Sequence, residues 1–361
     1  MLMLLSLFAA LGACRLPRPV DTGAYLKDCE QSGQPAADAL LFVTTRLPDC
    51  RVSSRIAATW HRGQGPMYGA WGSDNVVRFY TPGAWHRAAE ARLGGGRKAL
   101  MYIHGYNNSN LAALGRAVAI RTAIANQREV IAFTWPSYDT TAKYFWDEAN
   151  AEWASADARG FVKDLAARHP GIILVAHSMG NRIALDVVES FAPGKAPVDR
   201  LIMASPDVDR AALKRRLDEG LGVAVTLYGS RRDQPLSASW RSHGYPRAGD
   251  LADWVTGHDP DYTLHNLSTV DVVDTSDVTR GLLHHADFIE TMEGAADLCR
   301  VVGKPDAKAG RKAVGDPPQR WLLVPGGPAE PDDCSESGAS AYRWLMRKPV
   351  AKKENGGRGK D

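Results

Sequence analysis

The chain has 361 residues and a formal net charge of +3, from 44 Lys and Arg against 41 Asp and Glu. That length suits one large α/β domain or two smaller ones, and 44% hydrophobic residues supply a core of normal size. So mild a charge, with no basic stripe interleaved with aromatics, argues against a nucleic-acid partner.

Residues 1–13, MLMLLSLFAALGA, are apolar and end in small residues. The run is shorter than the ~20 residues of a membrane-spanning helix. It fits the apolar part of a secretory signal, although no Lys or Arg precedes it. Leu11-Gly12-Ala13-Cys14 also looks like a bacterial lipobox, in which the cysteine carries the lipid. The expectation is a signal peptide with lipobox over 1–14, lipidation at Cys14, and a place in the cell envelope, lipid-anchored on the periplasmic side (or secreted). A plain cleaved signal, or a partly buried N-terminal segment, with a chance cysteine is the alternative. Cys29, Cys50, Cys299 and Cys334 remain, an even number suited to an oxidising compartment. Cys29–Cys50 and Cys299–Cys334 are the simplest pairs among three connectivities. No CxxC spacing occurs, so no metal site is expected.

Residues 15–37 are aperiodic and read as a tether. Leu40–Thr45, Val76–Tyr80 and Ala99–Ile103 read as strands. Leu111, Leu114, Val118 and Thr122 give one helix face. Val130–Thr134 is a strand closed by Trp135-Pro136-Ser137. Residues 141–168 form a long helical stretch with Trp146, Ala149, Trp153, Ala156 and Gly160 on one stripe. Such spacing reads as a core-facing helix rather than a lipid-binding lid. Ile172–Ala176 is a strand, and a helix follows Ser178. Leu201–Ala204 is a strand, with Asp209 as N-cap of a helix over Arg210–Leu217. Val223–Tyr228 and Val270–Val273 are further strands, and His285–Leu298 is the last convincing helix. Residues 301–347 form a C-terminal extension, of which 303–340 are rich in Pro, Gly and Asp, and 348–361 a charged, Gly-rich, disordered tail. Strand and helix alternate, which implies an α/β protein with a mostly parallel central sheet and helices on both faces. Ligands of such sheets collect at the carboxyl ends of the strands.

Reactive residues concentrate there. In IILVAHSMGNRIAL, Ser178 follows a buried strand and opens a helix, with Ala176 and Gly180 two residues to either side. A serine on so tight a turn lifts its hydroxyl above the sheet, and small neighbours let strand and helix approach. Ala176 departs mildly from the G-x-S-x-G pattern. The plainer reading is a serine capping an ordinary helix. MYIHGYNN ends an earlier strand with His104-Gly105, and a bend there offers the Tyr106 amide to a developing oxyanion beside that of Met179. His104 itself reads as a structural histidine that hydrogen-bonds the loop, and His177 as pointing away from where Ser178 acts. A serine needs a histidine to take its proton and a carboxylate to orient that histidine. His284 and His285 both follow the last core strand, and His285 is preferred. Asp207 and Asp233 both follow strands. Asp233 sits one strand later and is preferred, while Asp207 reads as a turn residue.

Taken together, MYIHGYNNS, FTWPS, LVAHSMGNR, ASPDVD, TLYGSRRDQPL and LLHHADF resemble the α/β-hydrolase superfamily, and more narrowly a bacterial group of uncharacterised esterase/lipase-like hydrolases. In that group the last piece commonly reads Gly-His-Ser-Tyr-Phe. Here His284 stands for the glycine and Asp287 for the tyrosine, and His285 falls on the histidine. The resemblance implies an α/β-hydrolase domain over 38–300 and gives a reaction class, not a substrate. The resulting expectation is a carboxylic ester hydrolase with Ser178, Asp233 and His285, needing no cofactor and acting on a small-molecule or lipid-like ester. No long apolar lid is evident, which favours short-chain or soluble esters. An inactive hydrolase fold serving as an envelope-anchored binding or structural component is the alternative, and an amidase or peptidase would share the machinery. Residues 234–268 join two strands by a connection far longer than usual, carry four aromatics, and read as a cap over the site.

Overall fold

The structure, a computed structural model, describes residues 33–48, 62–138, 140–192, 194–252, 270–278, 281–304, 306–315 and 320–347. Cys14, the Cys29–Cys50 pair, residues 253–268 of the expected cap and the tail from 348 lie outside them.

The strands are β1 (Leu40–Arg46), β2 (Arg62–Trp71), β3 (Val77–Tyr80), β4 (Ala99–Ile103), β5 (Glu129–Thr134), β6 (Ile172–His177), β7 (Val198–Ala204), β8 (Ala224–Gly229), β9 (Val270–Asp274), β10 (Arg311–Val314) and β11 (Arg320–Leu323). Among the described residues they form one sheet in the order β10-β11-β9-β8-β7-β6-β4-β5-β1-β2-β3. From β1 through β5, β4, β6, β7, β8 and β9 to β11 every pairing is parallel. Antiparallel pairs close both edges. The expected mostly parallel sheet is thus the observed one.

Helices cover both faces: α1 (Pro82–Leu93), α2 (Asn110–Ala123), α3 (Tyr144–Arg168), α4 (Gly180–Glu189), α5 (Arg210–Asp218), α6 (Gln234–His243), α7 (Asp287–Glu290), α8 (Met292–Gly303) and α9 (Asp333–Arg347). Side chains of a strand alternate between faces. Met101, Ile103, Leu174 and Ala176 therefore join the core under α1, α3, α4 and α5. Leu100, Tyr102, Ile173 and Val175 join the core under α2, α8 and α9. Both faces being covered, β4 and β6 are buried along their whole length and read in the sequence as unbroken apolar runs.

The structure departs from the sequence reading at four places. β2 was not among the expected strands; RGQGPMYGAW carries Gly63, Gly65, Pro66 and Gly69, residues that weaken a strand pattern. Gly69 is there for space: a Cβ on it would meet the Phe42 ring at 2.2 Å. The buried face of α3 runs through Asp147, Ala151, Ala154, Ala158 and Phe161 instead of the expected tryptophan stripe. Alanines do the packing, Trp146 is 59% exposed, and Trp153 lies at the margin under the Arg62 guanidinium. The helix expected from His285 begins at Asp287 and is broken at Thr291, so His285 lies on a loop.

The fourth change is the C-terminal extension, which continues the same sheet through β10 and β11. Cys299–Cys334 is bonded and holds α9 to α8, a closure of this length contributing about 2–4 kcal/mol. Arg311 donates from Nε and Nη2 to the two Asp297 oxygens at 2.6 and 2.7 Å, and Tyr228 Oη donates to the same carboxylate. Those partners leave the buried charges paired.

Candidate active site

The carboxyl ends of the central strands stand level. Ala176 of β6 pairs with Ile103 of β4 and Met203 of β7, and Gly229 of β8 pairs with Asp274 of β9. The segments leaving these ends carry His104-Gly105-Tyr106, Ser178, Asp207, Asp233 and His285.

Ser178 sits at φ 53, in the left-handed region that non-glycine residues rarely occupy. Its backbone is held there on both sides. Its N–H donates to the Ala204 carbonyl at 2.9 Å, and its own carbonyl accepts from Asp207 N, Asn181 N and Asn181 Nδ2. A Cβ on Gly180 would lie 2.4 Å from the His104 carbonyl oxygen. One on Gly105 would lie 2.7 Å from Ser178 Cβ. The corner and the β4 loop therefore touch backbone to backbone. Among the described residues, no protein group takes up the Tyr106 or Met179 N–H.

His104 is locked into the loop. Burial holds its ring well below the ordinary histidine pKa. The neutral ring donates from Nδ1 to the Gly105 carbonyl at 2.8 Å and accepts at Nε2 from Trp135 N at 3.0 Å. It also stacks on the Trp135 ring at 4.9 Å. The buried Asp147 carboxylate accepts from Ser137 Oγ, Tyr138 N and Asn107 N, tying the loops after β4 and β5 to α3. Asn108 Nδ2 donates to the Gly105 and Tyr106 carbonyls.

Asp233 and His285 meet. His285 Nδ1 lies 2.9 and 2.8 Å from the two Asp233 oxygens. Asp233 is fully buried and also caps α6, accepting from Leu236 N at 2.9 Å. Burial acts against charge on the His285 ring. The Asp233 carboxylate outweighs it by charge and hydrogen bond, Asp207 adds to it, and Arg116 opposes it. The net shift is upward. Donation from Nδ1 leaves Nε2 as the acceptor. Asp207 does not meet His285. Its carboxylate accepts from Tyr144 Oη and from Ser239 Oγ at 2.6 Å, and it forms an ion pair with Arg247, whose Nε lies 3.2 Å away and donates to Ser239 Oγ. It is a buried junction, where the sequence suggested a turn residue.

His177 differs from its expected placement. It does not point away from the site: its Nε2 reaches the His285 carbonyl oxygen at 2.9 Å. The described part of the long connection, 234–252, runs beside the site. Gly249 N donates to the Pro206 carbonyl and Ser230 N to that of Gly249, so the chain crosses the ends of β7 and β8.

A family model described as an alpha/beta hydrolase of unknown function (DUF900) matches residues 90–301, more than half of the chain. A comparison with curated proteins finds no match. Among solved structures the chain is similar to esterase PE8, at 16% identity over 52% of this chain and 88% of that one, with a TM-score of 0.33. It is similar also to a lipase-esterase related protein from Clostridium acetobutylicum ATCC 824, at 12% identity over 69% and 93%, with a TM-score of 0.28. Carboxylesterase CesB (YbfK) from Bacillus subtilis gives 12% identity over 58% and 80%, with a TM-score of 0.27.

His284, beside the paired histidine, has φ 55 and a buried Nδ1 without a partner among the described residues. A non-glycine residue there costs roughly 1–2 kcal/mol, against about 0.5–1 kcal/mol for the added freedom of an unfolded glycine. His284→Gly is therefore expected to hold or slightly raise the melting temperature and to leave the site working, whereas His285→Ala stops it. Thermal melts and ester turnover of both variants check this. A dead His284→Gly beside an active His285→Ala reverses the two roles.

Proposed function

The chain belongs to that α/β-hydrolase family, and from this premise we propose that it is a serine hydrolase cleaving carboxylic esters through an acyl-enzyme. The observation that carries the proposal is the His285 Nδ1 contact with both oxygens of buried Asp233, at the sheet edge where Ser178 occupies its left-handed corner. In this reading Ser178 Oγ attacks the ester carbonyl carbon while its proton passes to His285 Nε2. The oxyanion accepts from the Tyr106 and Met179 N–H groups. Collapse breaks the bond to the alcohol, which leaves with the proton from His285. Water then adds to the acyl-enzyme, again giving its proton to His285, and the acid departs as Ser178 regains the proton. Asp233 keeps the imidazole in the right tautomer and balances its charge. No step needs a metal or an organic cofactor.

A fluorophosphonate probe and a panel of nitrophenyl esters of increasing chain length test this. Ser178→Ala is expected to abolish labelling and turnover with the fold intact. His285→Ala should be about as damaging, because such residues act as a unit. Asp233→Asn keeps a side chain able to cap α6 yet presents an amide to His285, and about a 10⁴-fold loss of kcat is expected. A well-folded Ser178→Ala protein with wild-type turnover overturns the mechanism.

The pH profile follows from the sign of the His285 shift. The base works when neutral, so activity stands above its pKa and is lost as pH falls through it. The raised value places the acid limb of kcat/KM above pH 6.5, the ordinary histidine value. Asp233→Asn should move that limb down, since the carboxylate is what raises it. An unmoved limb separates Asp233 from the titrating group.

We also propose that a lipid on Cys14 anchors the chain in the cell envelope, on the strength of the Leu11-Gly12-Ala13-Cys14 motif. No described helix is long and apolar enough to cross a membrane. Cys14→Ser is expected to shift the protein from the membrane fraction to the soluble one with activity kept. Identical fractionation of both forms, with no acyl mass on Cys14, removes the anchor.

A further inference from the structure

His177 closes β6, one residue before Ser178. Its ring centroid is 4.8 Å from that of His285 and 5.6 Å from that of Phe288. A carbonyl oxygen only accepts, so the 2.9 Å contact with the His285 carbonyl places the proton of His177 on Nε2. Burial, then the charges of His285 and Arg116, hold its pKa well below the ordinary value, and the ring is neutral. Its Nδ1 lone pair is consequently buried without a partner among the described residues. An orphaned acceptor of this kind is destabilising, a cost that an apolar ring would avoid. What a histidine offers here and an apolar ring lacks is the Nε2–H given to His285.

The loop that bears His285 is pinned on either side of it. Gln234 N donates to the Leu283 carbonyl at 3.1 Å, and Thr275 Oγ1 to Asp287 Oδ2 at 3.3 Å. Between these ties the His285 main chain rests on His177. The Asp233 bond holds one edge of the imidazole, but a ring held at one edge still swings if its Cα moves. Where Nε2 points depends on the main chain as well. His177 and Ser178 are consecutive, so one hydrogen bond and one peptide unit connect the base to the nucleophile.

Resting on the serine-hydrolase reading above, we propose that His177 is a positioning residue, whose Nε2–H holds the His285 main chain so that the ring fixed by Asp233 presents Nε2 to Ser178. It takes no proton from substrate. A loss of alignment near 1 Å costs up to about 10²-fold in rate.

Two variants test the proposal. His177→Phe keeps a planar ring and loses the donor, while His177→Gln restores an N–H donor. The Phe variant is expected to lose roughly 10- to 100-fold in kcat with KM little changed, and the Gln variant to recover most of it. Active-site titration with a fluorophosphonate normalises both to folded, reactive enzyme. Asp233, Asp207 and Arg116, the charged groups that set the His285 titration, are untouched. A looser Asp233 bond therefore moves the acid limb of the Phe variant down, and the Gln variant returns it. The downfield proton resonance of His285 Nδ1 supplies a readout without substrate: sharp in wild type and His177→Gln, broadened or shifted upfield in His177→Phe. Wild-type kcat per titrated site and an unchanged resonance in His177→Phe overturn the proposal. So does a Gln variant as impaired as Phe at the same melting temperature. If the wild type cleaves no ester, the hydrolase reading fails, and the resonance still decides whether His177 orders the His285–Asp233 pair.

Discussion

A Cβ on Gly180 would stand 2.4 Å from the His104 carbonyl oxygen, and one on Gly105 would stand 2.7 Å from Ser178 Cβ. These distances fix what the rest of the site can be. The turn after β6 and the turn after β4 are pressed together, with no room for a side chain at Gly105 or at Gly180. Ser178 adopts φ 53 at that contact, a conformation that persists only where its surroundings over-determine it. Four backbone and side-chain donors and acceptors do so here. Ala176, by contrast, lies one residue inside the strand between β4 and β7, where the packing accommodates its methyl group.

So close an approach needs support behind the β4 loop. Stacked and hydrogen-bonded to Trp135, His104 ties that loop to the turn after β5. Asp147 binds both to the start of α3. Burial pushes its carboxyl up, and the donors from Ser137, Tyr138 and Asn107 pull it back. Arg116 then spans to the other half of the site, reaching Asn108 Oδ1 at 3.2 Å and the Glu290 carboxylate of α7. The loop after β4 and the segment that follows His285 are thus tied through one guanidinium on α2.

Local patterns of this architecture were readable in the sequence. Unbroken apolar runs revealed β4 and β6, because strands buried on both faces have no polar side. The serine corner and the His-Gly bend were readable because their small residues answer a contact that lies close along the chain. Features set by distant contacts were not. β2 was not legible, since nothing near Gly69 in the chain says that the Phe42 ring occupies its Cβ position. The stripe through Trp146 and Trp153 has core-facing spacing, yet α3 packs by its alanines on another face. His177 seemed to face away because strand alternation says where a ring begins, not that a carbonyl 108 residues later would meet its Nε2. β10, β11 and α9 rest on the Arg311–Asp297 pair and a disulfide, and neither contributes to a periodicity.

The two carboxylates after β7 and β8 show how distant contacts divide similar residues. Both are buried, and both follow a strand that ends at the same edge. What separates them is what occupies their oxygens. Asp207 is taken up by Tyr144, Ser239 and Arg247, two of which arrive from the 234–252 segment as it folds back across the strand ends. Its remaining capacity faces a guanidinium, and a buried ion pair of this kind does not release its partner cheaply. Asp233 gives one oxygen to the first turn of α6, a modest demand, and both still face His285. The long connection thus begins at Asp233, as the cap of its first helix, and sends Ser239 and Arg247 back to occupy Asp207. It leaves one carboxylate at this edge paired with the histidine.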